Sequence, residues 1–222
     1  MLINRGPVVS DTSLFSSDLV TNTGITLGYL TSLLAYTFSV NITPGPNNIM
    51  LTASGINLGY KKSLPHLLGI TTGSFILFSS VALGLGSVFK AFPFLHTALK
   101  IIGSAYLLWL AYKIFTAKGD KFSSDRARPL TYFQALAFQA VNPKAWTMSI
   151  TAVSAFSLMG DLLWVSLIAI VIMQTVMVFP CCSVWTLIGV KIKQFIQTPK
   201  NLLMFNRVLG ALTASCVIMI FS

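Results

Sequence analysis

Apolar residues in this chain neither alternate with polar ones nor keep to narrow helical stripes; they fill long runs separated by short polar segments. Six runs stand out, at residues 27–51, 64–89, 95–117, 131–156, 161–187 and 202–222. The plainest is the second, because Leu64 to Phe89 holds 26 residues without Asp, Glu, Lys or Arg. About 20 apolar residues suffice for a helix to cross the hydrocarbon core of a bilayer. A membrane β-barrel would need short alternating segments, and none of the six alternates. The pattern predicts an all-α integral membrane protein with six transmembrane helices. In front of the first run, residues 1–26 are rich in Ser, Thr and Asn and carry Asp11 and Asp18. They lack the cationic start and short apolar core of a signal peptide. They read as a polar, disordered tail or as the product of an over-long start.

Composition removes the soluble alternatives. Hydrophobic residues make up 55% of the chain and charged residues 9%, with a mean hydropathy of +0.78. A soluble domain carries about a quarter charged residues. The net charge of +10 could suggest nucleic acid, but the basic residues fall between the apolar runs. Lys61 and Lys62 follow the first run. Lys113, Lys118, Lys121, Arg126 and Arg128 surround the segment 118–130, and Lys191, Lys193, Lys200 and Arg207 lie between the fifth and sixth runs. The opposite side has only Arg5, Lys90 and Lys100, so the split is eleven to three. Positive loops stay in the cytoplasm, which places 118–130 inside and both termini outside. The expected surroundings are a lipid bilayer, with no nucleic-acid partner.

Three-span halves in a six-span chain insert in opposite orientations, so likeness between the halves would mean an inverted repeat. Two likenesses occur. The first run is interrupted by Thr43-Pro44-Gly45-Pro46-Asn47-Asn48 and the fourth by Asn142-Pro143-Lys144. The third contains Lys100-Ile101-Ile102-Gly103 and the sixth Arg207-Val208-Leu209-Gly210, a basic residue three before a glycine in each case. The reading is a 3+3 inverted repeat, with repeat one at 27–117, repeat two at 131–222, and helices one and four broken. Breaks at matching places in two halves point to a transporter's binding site.

The chemistry of the breaks agrees. Proline lacks an amide hydrogen and clashes with the preceding turn, so Pro44, Pro46 and Pro143 free backbone groups that cannot face lipid. Asn47 and Asn48 add amides that donate and accept, and they open a half-helix whose positive end suits a carboxylate. Lys144 lies about 13 residues into the fourth run, where a charge costs roughly 3 kcal/mol or more and is usually functional. No Asp or Glu lies inside any run; Asp161 stands at an edge. Lys144 therefore needs a carbonyl cage, a water-filled cavity or an anionic ligand, or it loses its proton. The candidate substrate-binding residues are Thr43, Pro44, Gly45, Pro46, Asn47, Asn48, Asn142, Pro143 and Lys144.

Other residues receive structural readings. Gly55, Gly59, Gly69 and Gly73, spaced by four in pairs, and Gly103 and Gly210 are expected to let helices approach closely. Such small-residue faces would allow a homodimer without requiring one. Cys181, Cys182 and Cys216 read as small packing residues. His66 reads as a solvated histidine at a span edge, with proton relay as the alternative. Gln139 and Gln174 line a cavity or pair helices, and Tyr106, Trp109 and Tyr112 are interfacial or packing aromatics. No phosphate loop, metal-ligand spacing or activated nucleophile is present, so neither metal, cofactor nor enzymatic activity is expected.

These residues resemble a known family. Thr43-Pro-Gly-Pro-Asn-Asn48 followed by the four glycines, together with Phe138-Gln-Ala-Val-Asn-Pro-Lys-Ala-Trp146 and Gly103-Ser-Ala-Tyr-Leu-Leu-Trp-Leu-Ala-Tyr-Lys113, are similar to the signatures of the LysE/RhtB amino-acid exporters. The resemblance covers about 28–222 and is greatest to exporters of small neutral amino acids, cysteine and O-acetylserine among them. It implies a bacterial cytoplasmic-membrane antiporter driven by protons, built as a 3+3 inverted repeat. The chain departs from the pattern in its longer tail and its lack of an intramembrane acid. Coupling would then pass through the proton of Lys144 or the substrate's own charge. Two other functions fit the residues: a membrane thiol relay through Cys181 and Cys182, and a metabolite or ion channel.

Overall fold

The first helix, α1 (Leu27–Ile42), starts where the Thr26 side chain accepts the Tyr29 amide. It stops where Thr43 turns extended ahead of Pro44. After the extended residues 43–45, α2 (Pro46–Leu58) begins on a proline, which has no amide to leave unpaired at a first helical position. Gly59, at φ +82°, turns the chain into α3 (Tyr60–Ser80), and a wider turn at Val81–Leu85 with Gly84 at φ +101° ends it. Next come α4 (Pro93–Phe115), α5 (Tyr132–Val141) and α6 (Pro143–Phe156), the last two parted only by Asn142. The long α7 (Leu163–Phe195) and α8 (Pro199–Ser215) complete the order. The computed structural model describes residues 25–85, 93–116, 130–196 and 198–218. Among them the regular structure is helical throughout.

The helices differ from the apolar runs at their ends. The first run continues seven residues past 51 as α2, and the fifth continues past 187 to Phe195. Polar residues such as Lys191 and Lys193 end a hydropathy run without ending a helix, since lysine is a good helix former and its long side chain reaches toward water. Ile25 and Thr26, assigned to the tail, already belong to the helical unit: Ile25 is buried and Thr26 caps α1. The rest of the tail, the segment 118–129, and Arg5, Lys90, Lys118, Lys121, Arg126 and Arg128 lie outside the described residues.

Polarity is arranged inside out. Large apolar side chains such as Phe38, Phe75, Ile102, Ile168, Ile172 and Val208 are exposed, whereas Thr37, Asn41, Asn48, Ser74, Gln139, Gln174 and Thr186 are buried. In water the exposed face would be a large apolar patch; in a bilayer it meets lipid, and polar groups turn inward to pair. The stretches Tyr60–Gly84 and Gly160–Phe195 are each long and apolar enough to cross as single helices. The chain is a multi-pass membrane protein.

Glycines set the tightest seams. A side chain on Gly55 of α2 would collide with the Thr186 carbonyl of α7, and one on Gly189 of α7 with the Thr52 carbonyl of α2. Gly69 and Gly73 bring α3 onto α5 at Tyr132 and Leu136, Gly103 brings α4 onto the Val141 carbonyl, and Gly210 brings α8 onto Ala111 and Phe115 of α4. Gly59 differs from the packing role expected of it. Nothing lies within 4 Å of where its Cβ would be, and its positive φ makes the turn between α2 and α3. The other glycine faces are used within the chain.

His66 also departs from its sequence reading. It is 1% exposed, and neither ring nitrogen has a hydrogen-bond partner among the described residues. The position lies beyond the first turn of α3, in which Ser63 is already buried and bonded to Ser54 of α2 at 2.7 Å. Proximity in sequence to Lys61 and Lys62 suggests solvent, but the inward face of the helix decides burial.

Candidate substrate site between the two helix breaks

The end of α1 must find partners for its last carbonyls, because residues 43–45 leave the helical path. Every one from Ser39 to Pro44 is met. The Thr43 amide donates to the Ser39 oxygen (3.2 Å) and the Thr43 hydroxyl to Val40 (2.9 Å). Asn48 Nδ2 donates to the Asn41 and Thr43 oxygens (3.0 and 2.7 Å), and Trp185 Nε1 on α7 to Ile42 (3.1 Å). Lys144 closes the set. Its Nζ donates to the Thr43 carbonyl (2.7 Å), the Thr43 Oγ1 (3.1 Å) and the Pro44 carbonyl (3.3 Å). The cation therefore sits at the negative end of α1. Of the environments open to an unpaired lysine, the structure adopts the carbonyl cage.

Lys144 reaches that position because the second break supports it from below. Asn142 is extended; its Oδ1 accepts the Lys144 amide (3.2 Å) and starts α6, while Pro143 fills the first position. Asn142 is 2% exposed and its Nδ2 donates to Gln139 Oε1 (3.4 Å). Both ends of this candidate side chain therefore have partners within the protein, the oxygen in the helix cap and the amide nitrogen on Gln139. Trp146 Nε1 donates to the Ala140 carbonyl (2.8 Å), serving the end of α5 as Trp185 serves the end of α1.

Two carboxamide pairs wall the space between the breaks. Asn47 Nδ2 donates to Gln139 Oε1 (3.0 Å) and Gln139 Nε2 donates back to Asn47 Oδ1 (3.2 Å), joining α2 to α5. Asn41 and Gln174 do the same between α1 and α7, at 2.9 and 3.1 Å. Cys182 Sγ donates to Asn48 Oδ1 at 3.8 Å. With Ser74, Phe78 and Val178 among its other neighbours, they line a cavity of about 30 Å³, enough for about one or two waters. Thr43 and Pro44 are exposed, while Gly45 and Pro46, which line the cavity, are buried. Gly45 has a steric duty: a Cβ there would lie 2.8 Å from Lys144 Cδ and 3.0 Å from Nζ.

The structure thus gathers Thr43, Pro44, Gly45, Pro46, Asn47, Asn48, Asn142, Pro143 and Lys144 into one place. Gln139 and Gln174, left between two readings, both line the cavity and pair helices. Asn41, Ser74 and Trp185 were not anticipated. Asn41 left a trace, a carboxamide inside an apolar run; Trp185 left none, since aromatic residues are common in such runs. The cysteines are free and buried, and Cys182 touches the site. Tyr106 packs on Phe138 (5.4 Å between rings), and Trp109 carries Lys113 at 3.9 Å above its ring.

The family model described as LysE type translocator matches residues 38–218. The chain belongs to this family. Among LysE type translocators it is 31% identical over 196 residues to the cysteine/O-acetylserine efflux protein of Escherichia coli strain K12, covering 86% of this chain and 97% of the relative. The same identity and coverage hold for proteins of that name from Escherichia coli O9:H4 (strain HS) and Shigella sonnei (strain Ss046). No solved structure matches the chain. Membership makes the chain a translocator of the LysE type, and the matched residues include both breaks and the bridging lysine.

Proposed function

We propose that this translocator exports a small zwitterionic amino acid from the bacterial cytoplasm by alternating access, in exchange for protons. Cysteine and O-acetylserine are the first substrates to consider, because the relatives quoted above carry those names. The observation that carries the proposal is the bridge from Lys144 Nζ to the Thr43 and Pro44 carbonyls. It brings both breaks together at a place with a cation, backbone carbonyls outside regular helix and six carboxamides. A zwitterion presents the complementary ends: a carboxylate for Lys144 and the start of α2 near Asn47, and an ammonium for the carbonyls of Thr43 to Gly45.

The proposed architecture is a 3+3 inverted repeat, with spans formed by α1–α2, α3 and α4, then α5–α6, α7 and α8. At the level of whole spans the seams support it: span one packs on span five through α2 on α7, and span four packs on span two through α5 on α3. Both termini would face outside the cytoplasmic membrane. In that orientation the glycine seams close the lysine-rich, cytoplasmic half. A larger cavity of about 300 Å³, lined by Val81, Gly84, Ile150, Ser154 and Trp164, opens at the opposite end. The roughly 30 Å³ at the centre is too small for an amino acid, so loading requires the halves to part, as alternating access demands.

The test is export from cells fed dipeptides, comparing the intact chain with Lys144→Ala at matched membrane levels. The expected result is faster release of one amino acid with the intact chain and none with the variant. Undiminished export by the variant would remove Lys144 from the mechanism.

A further inference from the structure

We infer that Lys144 is an intramolecular stand-in for the substrate's ammonium group, so that loading is an exchange: the substrate's ammonium takes the carbonyl seat and Lys144 leaves it for the carboxylate. The inference rests on the export reading above and adds what the site does before substrate arrives.

The seat has the chemistry of a primary-ammonium site. Its acceptors are the Thr43 carbonyl at 2.7 Å, Thr43 Oγ1 at 3.1 Å and the Pro44 carbonyl at 3.3 Å. Three donors is what both a lysine ammonium and an α-ammonium offer. The acceptors are neutral, so nothing in the seat distinguishes the two cations by charge. They cannot share it, because two like charges a few ångström apart repel strongly away from bulk water. Lys144 is also built to leave. Its four-carbon stem is flexible, it is only partly buried, and Thr43 and Pro44, which supply the seat's acceptors, are exposed. Glycine at 45 gives the stem its room.

The exchange explains why a zwitterion is required. A simple amine that displaced Lys144 would strand the lysine's charge without a partner, since no Asp or Glu lies within the spans. A simple carboxylate offers nothing to replace Lys144 in the seat, leaving the Pro44 carbonyl without its donor and the Thr43 carbonyl with Asn48 alone. Only a molecule with both ends keeps every charge paired through the swap. The wild-type site therefore rejects one-ended ligands by their incompleteness rather than by clash, which is how a polar site discriminates most sharply.

The experiment uses the full chain in lipid nanodiscs and ethylammonium as a probe with an ammonium end only. Binding is read from the fluorescence of Trp146 and Trp185, which flank the breaks. Removing the competing cation in Lys144→Met should tighten ethylammonium binding by about tenfold or more, the scale of one charge-assisted hydrogen bond or better. Lys144→Gln, which stays polar, repeats the measurement in case the methionine variant folds poorly. Equal ethylammonium affinity in wild type and both variants overturns the exchange. Should wild type export an amino acid while ethylammonium ignores the substitutions, the exchange fails and the export reading stands. Should ethylammonium prefer the variants while wild type exports no amino acid, the seat stands and the export reading fails.

Discussion

The carboxamides of Asn47 and Gln139 face each other in a closed two-bond ring, 3.0 Å one way and 3.2 Å the other, and so fasten the half-helix after the first break to the half-helix before the second. Gln139 is 1% exposed. Replacing it with leucine leaves the Asn47 amide facing apolar atoms, and an orphaned buried group costs about 1–3 kcal/mol. Gln139→Leu should lower unfolding stability by that amount in detergent titrations. A change below about 0.5 kcal/mol would mean that Asn47 finds another partner, since a typical net hydrogen bond is worth that much or more.

The glycines separate into two kinds, and substitution should sort them. Gly55→Ala places a methyl group against the Thr186 carbonyl, so α2 and α7 must move apart along their length. Gly59→Ala meets no atom but strains a backbone at φ +82° and ψ +171°, at a cost of about 1–3 kcal/mol. The expected order of loss, in both folded yield and export, is Gly55→Ala above Gly59→Ala. The reverse order would contradict the seam.

His66 is buried with both ring nitrogens unpaired among the described residues. A leucine of similar reach removes the unpaired groups, so His66→Leu should be neutral or stabilising. Thermal unfolding at neutral pH measures it. A loss of more than about 2 kcal/mol would show that the imidazole makes an interaction of the strength of a buried polar pair.

Cys182 donates weakly to Asn48 at 3.8 Å, and Cys181 beside it is free. The double change Cys181→Ser, Cys182→Ser keeps a donor at 182, and export by the substituted chain should stay within about twofold, as expected when one weak bond is traded for another. Complete loss of function with normal membrane levels would instead favour the thiol relay.

Trp185 Nε1 serves the Ile42 carbonyl at 3.1 Å. Trp185→Phe preserves ring bulk and removes this one donor, leaving a carbonyl at the end of α1 unpaired near the membrane interior. Stability should fall by about 1–2 kcal/mol, the penalty for one unsatisfied backbone group, with a parallel fall in export. Unchanged stability would mean that another donor reaches Ile42.

What was legible in the chain was local. Prolines at 44, 46 and 143 dictate where helices one and four break, because a missing amide and a ring clash act within a turn. Long apolar runs dictate membrane helices, and a lysine without an acid in those runs marks the place to look. Tertiary structure decided who answers whom. Lys144 has no sequence-adjacent partner; it meets Thr43 and Pro44 across a hundred residues, so only the packing of α6 beside the end of α1 could make the cage known. The same holds for Asn41 with Gln174 and for Trp185 with Ile42, where the chain specifies a donor but not which orphaned group it will reach. Burial of His66 and the freedom of Gly59 turned on which face of a helix looked inward, and near its ends hydropathy alone does not set that face. Breaks and membrane spans follow from covalent geometry and solvent; the site follows from the pairing of groups that lipid cannot satisfy.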